Sequence, residues 1–280
     1  MDLLPPQLEE PVVVRLEAKS TVTRMEPEKD YVIMLPDRLK NGSTTLIGGR
    51  NIVVIGGAIS VPEGDRMKRA LYIKDATGTV HVEGIHFQMS GGSEADAIVI
   101  AAPKATVQIG NVRIDGVHGF QQTWHADAVQ PWGGVKALLI DGLTATTAYQ
   151  GIQLSGLTGP IGRIAISRAN ITGEGRQIWT GGRLGGNGGY LFWAPCDIDA
   201  RVTFDQFYVQ PRQERGPRLA VYPPANDSTR CPSVLKGNSV SFPKQPTISG
   251  SITVGAPPRG DFVKANDVGV GYRREGVSSR

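Results

Sequence analysis

Five segments of this chain repeat one apolar pattern at a nearly constant interval, and this constrains the fold more than any other feature. They begin at Val53, Val80, Val107, Leu138 and Ile164, so the starts lie 27, 27, 31 and 26 residues apart. Each reads apolar-x-apolar, a two-residue kink of glycine or polar type, then apolar-x-apolar, as in Val80-His81-Val82-Glu83-Gly84-Ile85-His86-Phe87. A weaker sixth copy starts at Val202, 38 residues on. A second short strand lies upstream in each repeat, at Leu71-Tyr72-Ile73, Ile98-Val99-Ile100, Val129-Gln130, Ile152-Gln153-Leu154 and Tyr190-Leu191-Phe192.

A repeat of this length with several short strands has few physical solutions. Parallel strands joined through helices need long stretches with apolar residues at i, i+3, i+4 and i+7, and none is present. Hairpins would not hold so constant an interval. Coils stacked in parallel satisfy both facts, each about 4.8 Å above the last. The reading is an all-β, single-stranded right-handed parallel β-helix. It predicts one apolar column of Val53, Val80, Val107, Leu138 and Ile164, and a second of Ile55, Val82, Ile109, Ile140 and Ile166. Gly84, Gly110-Asn111 and Gly142 would let the backbone turn between faces.

A chain of 280 residues is long for one compact core. A repeat fold escapes that limit because each coil needs only its neighbours. The expected organisation is an N-terminal cap over residues 1–40, the β-helix over 41–210, and a Pro/Gly-rich wrapping segment over 211–280, disordered at its end. Such a segment could instead pack along the flank. Cys196 and Cys231 are too few for a disulfide scaffold and lack metal-site spacing. One disulfide pinning the C-terminal region and two buried thiols both fit.

The formal charge of +4 permits an acidic polymer as partner. The basic residues do not cluster until Arg273-Arg274, so neither a nucleic-acid partner nor a membrane is expected. No apolar run approaches the ~18 residues of a membrane span. Met1-Asp2-Leu3-Leu4-Pro5-Pro6 lacks the basic start and apolar core of a signal peptide. Gly181 to Gly189 lacks the Lys-Ser/Thr ending of a phosphate loop and reads as a loop at a coil edge. No cofactor is expected, and a calcium ion held by aspartates finds no supporting motif.

In a stacked fold, chemistry sits on the outer face or in the loops, and alternation says which side chains point out. The upstream strand presents Tyr72, Val99, Gln130 and Gln153. The main strand presents His81, Gln108, Leu139 and Ala165, then His86, Arg113, Thr144 and Asn170 beyond the kink. The sharpest group is Trp124-His125-Ala126-Asp127-Ala128-Val129-Gln130. His125 and Asp127, two apart in a strand, share one face. A neutral His125 could remove a proton beside a carboxylate, as in β-elimination from a uronate. Asp127 could orient it, or protonate a leaving sugar oxygen if burial raised its pKa. Gln130 and Gln153 would offer amides to sugar hydroxyls, and Trp124 and Trp132 flat faces to sugar rings.

Asp127 also aligns with Asp96 of the preceding coil, through Ala95-Asp96-Ala97-Ile98 and Ala126-Asp127-Ala128-Val129. Two carboxyls one coil apart could work as acid and as base or nucleophile. They could equally bond turn amides, and the parity of Asp127 with Val129 turns it partly inward. A second face joins His86 and Arg113, a pair suited to holding a substrate carboxylate. His81 and His118 read as structural, and Glu83 and Asp141 as turn residues.

The ladder pattern over residues 40–210 resembles the pectate-lyase-like right-handed β-helix superfamily. The segment Trp124 to Gln130, with Gly133-Gly134 and Gln150-Gly151-Ile152-Gln153-Leu154, is similar to a local pattern of bacterial right-handed β-helix repeat proteins. The resemblance implies the stacked fold and a glycan-related role, since members include polysaccharide lyases, glycoside hydrolases, epimerases and phage or adhesin binding proteins. The chain lacks the aspartate array of polygalacturonases and the calcium-site and arginine pattern of pectate lyases. Two functions are therefore expected. One is a polysaccharide lyase or glycoside hydrolase, secreted or at a cell surface, acting on an extended poly- or oligosaccharide. The other is a non-catalytic β-helix that binds glycans or builds a surface or phage structure.

Overall fold

The structure is a computed structural model that describes all residues except 2, 90–92, 121–122, 157, 175–188, 229 and 274–280. The described residues form an all-β protein. Its 22 strands join in one long, mostly parallel sheet, with two short 3-10 turns and no α-helix. The Gly-rich stretch lies outside the described residues up to Gly188, as does the tail end from 274.

Two parallel ladders run through the sheet. The long ladder carries Ile52–Ile55, Thr79–Glu83, the middle of Asp96–Val117, Val135–Thr147, Ile161–Gly173 and Arg201–Gln210. The short ladder carries Arg69–Lys74, the start of Asp96–Val117, Asp127–Gln130, Gln150–Gln153, Phe192–Trp193 and Val221–Tyr222. Both ladders run past residues 40 and 210. Tyr31–Met34 pairs with Ile52–Ile55, Thr21–Met25 pairs with Thr44–Gly48, and Ile248 and Ile252 pair with Val202 and Phe207.

Like aliphatic side chains stack in one core. Val80, Val107, Leu138, Ile164 and Val202 stand in line, and Val82, Ile109, Ile140, Ile166 and Phe204 form the next column. Each fully buried aliphatic side chain favours the fold by about 1.5–3 kcal/mol. At the C-terminal end phenylalanines take over. Phe192 meets Phe204, Phe207 and Phe242 edge-on, with ring centroids 5.1–6.0 Å apart. At the other end the fully buried Lys40 ammonium donates to the carbonyls of Lys19, Gly42 and Ser43.

The first repeat corrects the expected columns. Ile52 and Val54, not Val53 and Ile55, pair with Val80 and Val82. All four residues of Ile52–Ile55 are apolar, so both parities satisfied the pattern. A one-residue slip exchanges the faces of a strand. The glycine column after the kink decides the register, because it sets Gly56 beside Gly84.

That corner repeats a left-handed backbone in successive repeats. Gly56, Gly84, Asn111, Gly142, Arg168 and Gln206 occupy aligned positions, with φ of 70°, 68°, 47°, 85°, 46° and 53°. The turn falls on Asn111, not on Gly110. L-residues pay about 1–2 kcal/mol to adopt this conformation, so the three non-glycine residues store strain.

The C-terminal segment 261–272 lies along the long ladder beyond the corner. Val263 N–H donates to Thr144 Oγ1 (3.0 Å), Asn170 Nδ2 to Asp261 (2.9 Å) and Tyr272 OH to Glu83 Oε1 (2.6 Å). Its backbone joins the corner through Gly269 N–H to Gly84 O and Gly57 N–H to Gly269 O. This strap buries Thr144 and Asn170, which were expected to face outward. Val99, His81 and Ala165 of the other expected outward columns are buried as well. His81 is bonded on both ring nitrogens, to Gln108 and Glu83. Cys196 and Cys231 form a disulfide with Cα atoms 5.6 Å apart.

Candidate functional site

Two adjacent columns on the short ladder carry the candidate chemistry. Arg69 pairs with Asp96, Asp127 N–H donates to Asp96 Oδ1 (2.9 Å), and Asp127 pairs with Gln150. Beside them run Tyr72, Val99, Gln130, Gln153, Trp193 and Tyr222 in consecutive repeats. Ala95, Ala97, Ala126 and Ala128 belong to the core cluster, so alternation turns Asp96 and Asp127 away from it. The inward parity expected for Asp127 fails because Ala128 and Val129 both join the core.

Although turned from the core, both carboxyls are covered, with Asp96 2% and Asp127 0% exposed. Trp124 Nε1–H donates to Asp96 Oδ2 (3.2 Å). The Arg69 guanidinium lies over the rings of Tyr72 and Trp124, at 4.9 and 5.3 Å, and the Lys68 ammonium over Trp124 at 5.2 Å. Such cation–ring contacts hold the indole in place over Asp96.

Burial sets the charge of the pair. It pushes the Asp96 carboxyl up to about 7, against the pull of the Asp127 amide, Arg69 and Trp124. Burial, then the neighbouring Asp96 charge, pushes Asp127 well above the ordinary carboxylate range. Like charges one repeat apart in a dry site do not both ionise. Hydrogen bonding agrees. The Gln153 amide atom that accepts Gln130 Nε2–H at 2.8 Å also lies 2.8 Å from Asp127 Oδ2. A carbonyl oxygen there accepts from both if Asp127 carries a proton. An ionised Asp127 would require Gln153 to reverse its amide, which sets two N–H donors face to face unless Gln130 reverses too.

His125 is exposed at the edge of this group, its ring centroid 5.6 Å from that of Tyr149. Burial raises the Tyr149 hydroxyl above its ordinary range. Gln150 Oε1 is buried with no hydrogen-bond partner among the described residues. The structure thus brings together Asp96, Asp127, Trp124, Gln130 and Gln153, with His125 alongside. Trp132 stands apart, 42% exposed on the Pro131–Gly134 turn.

His86 and Arg113 are on the long ladder, and the expectation of an open carboxylate anchor there is corrected. Arg113 donates to Asp115 (2.9 Å), Asp261 (2.9 Å) and Val263 O (2.9 Å), and His86 Nε2 lies 2.7 Å from Asp115. The guanidinium is already neutralised by the chain's own carboxylates. Sequence reasoning missed Arg69, Tyr149, Gln150 and Trp193 as site residues. Aligning Lys68-Arg69-Ala70-Leu71 with Ala95-Asp96-Ala97-Ile98 was the available signal for Arg69.

Among the described residues no group of three or more His, Cys, Asp or Glu side chains could hold a metal ion, and no helix is long and apolar enough to cross a membrane. No family model, curated protein or solved structure matches this chain.

Proposed function

We propose that the two ladders wind as one right-handed parallel β-helix of the pectate-lyase-like kind, and that its short-ladder face binds and hydrolyses an extended glycan. Parallel crossovers are right-handed in almost all sheets. Pairing across 26 to 38 residues in successive repeats, with one shared core, supports the winding. The observation that carries the function is the acid pair Asp96–Asp127 beside a line of amides and rings along the stacking direction.

The pair has the division of labour that glycoside hydrolysis needs. Asp127, whose proton Gln153 accepts in a hydrogen bond, is the acid for the leaving oxygen. Asp96, ionised above about 7, is the nucleophile or base. Carboxyls one repeat apart sit near the short, retaining separation of about 5–5.5 Å. A sugar ring reaches them by displacing the Trp124 indole. Hydrolysis is favoured over elimination because the proton-holding groups lie with Gln130 and Gln153, while His125 stands at the edge. The Cys196–Cys231 disulfide fits an oxidising, exported setting.

The test is a panel of neutral and uronate polysaccharides, following new reducing ends and unsaturated-product absorbance together. Reducing ends without absorbance are expected, lost at least about 100-fold in Asp96→Asn and Asp127→Asn. Unsaturated product would replace hydrolysis by elimination. Turnover that survives both substitutions would remove the site. Binding without turnover would favour the second reading, a non-catalytic glycan-binding β-helix, which the full burial of Asp127 supports.

A further inference from the structure

The short-ladder column continues beyond Gln153 to Trp193, and a pocket of about 340 Å³ opens beside that residue. Its walls include Gly156, Pro160 and Ile161 from the preceding repeat, and Trp193, Asp197 and Asp199 from its own. Tyr222 of the following repeat stacks on the indole, ring centroids 5.3 Å apart at an interplanar angle of 14°. The Tyr222 side of the indole is thus covered. In the preceding repeat Gln153 is its ladder neighbour, and the part-exposed Trp193 forms one wall of the pocket. A Cβ built on Gly156 would meet nothing within 4 Å, which marks open space on that wall. Asp197 and Asp199 are exposed.

We infer that this pocket is a subsite for a neutral sugar ring, which stacks on Trp193 while its hydroxyls donate to Asp197 and Asp199. The inference rests on the glycan-binding face proposed above and narrows its substrate class. A flat aromatic face suits the apolar face of a pyranose ring. Carboxylates accept hydrogen bonds and donate none at neutral pH, so they pair with hydroxyls and repel a uronate. The volume lies at the small end of ligand pockets, the scale of a single ring. The pocket follows Gln130 and Gln153 along the same column. One chain could therefore cross the acid pair and end in this subsite, with Asp127 two repeats and Asp96 three repeats away.

Calorimetric titration of the full chain with neutral oligosaccharides (gluco-, manno-, galacto- and xylo-series) and with oligogalacturonate tests this. At least one neutral series should bind, and oligogalacturonate about tenfold or more weaker, since two carboxylates at roughly 5 Å from a third repel it across water. Trp193→Ala and Gly156→Leu should each weaken neutral binding at least about tenfold. Gly156→Leu fills the open space without touching the Trp193–Tyr222 stack, so it separates loss of the subsite from loss of packing. The double variant Asp197→Asn/Asp199→Asn should narrow the gap between neutral and uronate ligands. Neutral binding unchanged in both Gly156→Leu and Trp193→Ala would overturn the subsite and leave the hydrolase reading standing. Uronate binding as tight as neutral binding would overturn its chemistry. Failure of every oligosaccharide to bind would overturn the subsite and the glycan-binding face together.

Discussion

The two flanks of the sheet carry similar residue types to opposite ends. On the long ladder, polar residues beyond the corner (His86, Arg113, Thr144 and Asn170) lie under the chain's own strap, and Asp261 sits where a ligand carboxylate would. On the short ladder, Gln130, Gln153, Trp193 and Tyr222 keep partial exposure, and a pocket opens at their side. Polarity of an outward column therefore does not mark a binding face. What marks it is whether the remaining chain can satisfy that polarity. The strap closes one flank by bonding its groups one by one, and leaves the other as the surface with hydrogen-bonding capacity to offer.

The largest way to break this contrast is to remove the strap. A chain ending at Gly255 loses the Arg113–Asp261 and Tyr272–Glu83 contacts, and it uncovers Thr144 and Asn170. Arg113 keeps Asp115 and Glu83 keeps His81, so the cost is that of the two lost charge-assisted hydrogen bonds, about 3–6 kcal/mol together. Urea unfolding should show a loss of that order, whereas Trp193→Ala on the open flank should cost less than about 2 kcal/mol. Equal losses would mean that the two flanks are not held differently.

Next in size is a pH dependence confined to the short ladder. In the unfolded chain the Asp96 carboxyl ionises near 3.8, and in the fold near 7. Between those values the fold keeps a proton that the unfolded chain has released. Stability therefore falls as pH rises from about 4 to about 7, by at most about 4 kcal/mol. Asp96→Asn should make this fall shallower, leaving the part that the buried Asp127 contributes, seen as urea curves of variant and parent that diverge between pH 4.5 and 7.5. Curves that stay parallel would show that the carboxyl is ordinary. Asp30 pulls the other way. Arg50 holds it near 2, so its contribution is present above about pH 4 and lost as pH falls toward 2.

The smallest effects come from the corner. Gln206 takes a left-handed conformation with an exposed side chain, so Gln206→Gly should raise stability by up to about 1 kcal/mol. Gly84→Ala should lower it, because a methyl there runs into the Tyr272 ring of the strap. Chemical unfolding of the two variants checks both signs.

Much of the fold was legible because parallel stacking writes itself as an interval. Val80, Val107, Leu138, Ile164 and Val202 stand in line as their spacing predicts. The register failed only at Ile52–Ile55, where an unbroken apolar run carries no alternation. The Asp96–Asp127 alignment was legible for the same reason as the columns. The side they face was not, since it depends on Ala128 and Val129 both entering the core. The burial of His81, Thr144 and Asn170 was hidden as well. It comes from contacts with residues far along the chain, such as Val263, and no local pattern encodes them. The Cys196–Cys231 bond was one of two readings that two cysteines allow.

The most direct measurement is hydroxyl-radical footprinting of the full chain, with and without a saturating oligosaccharide from the binding panel. The account predicts protection of Tyr72, Trp193 and Tyr222, with Phe262 and Tyr272 of the strap unchanged. Protection of Phe262 and Tyr272, with the short-ladder rings unaltered, would place the ligand on the covered flank and contradict it.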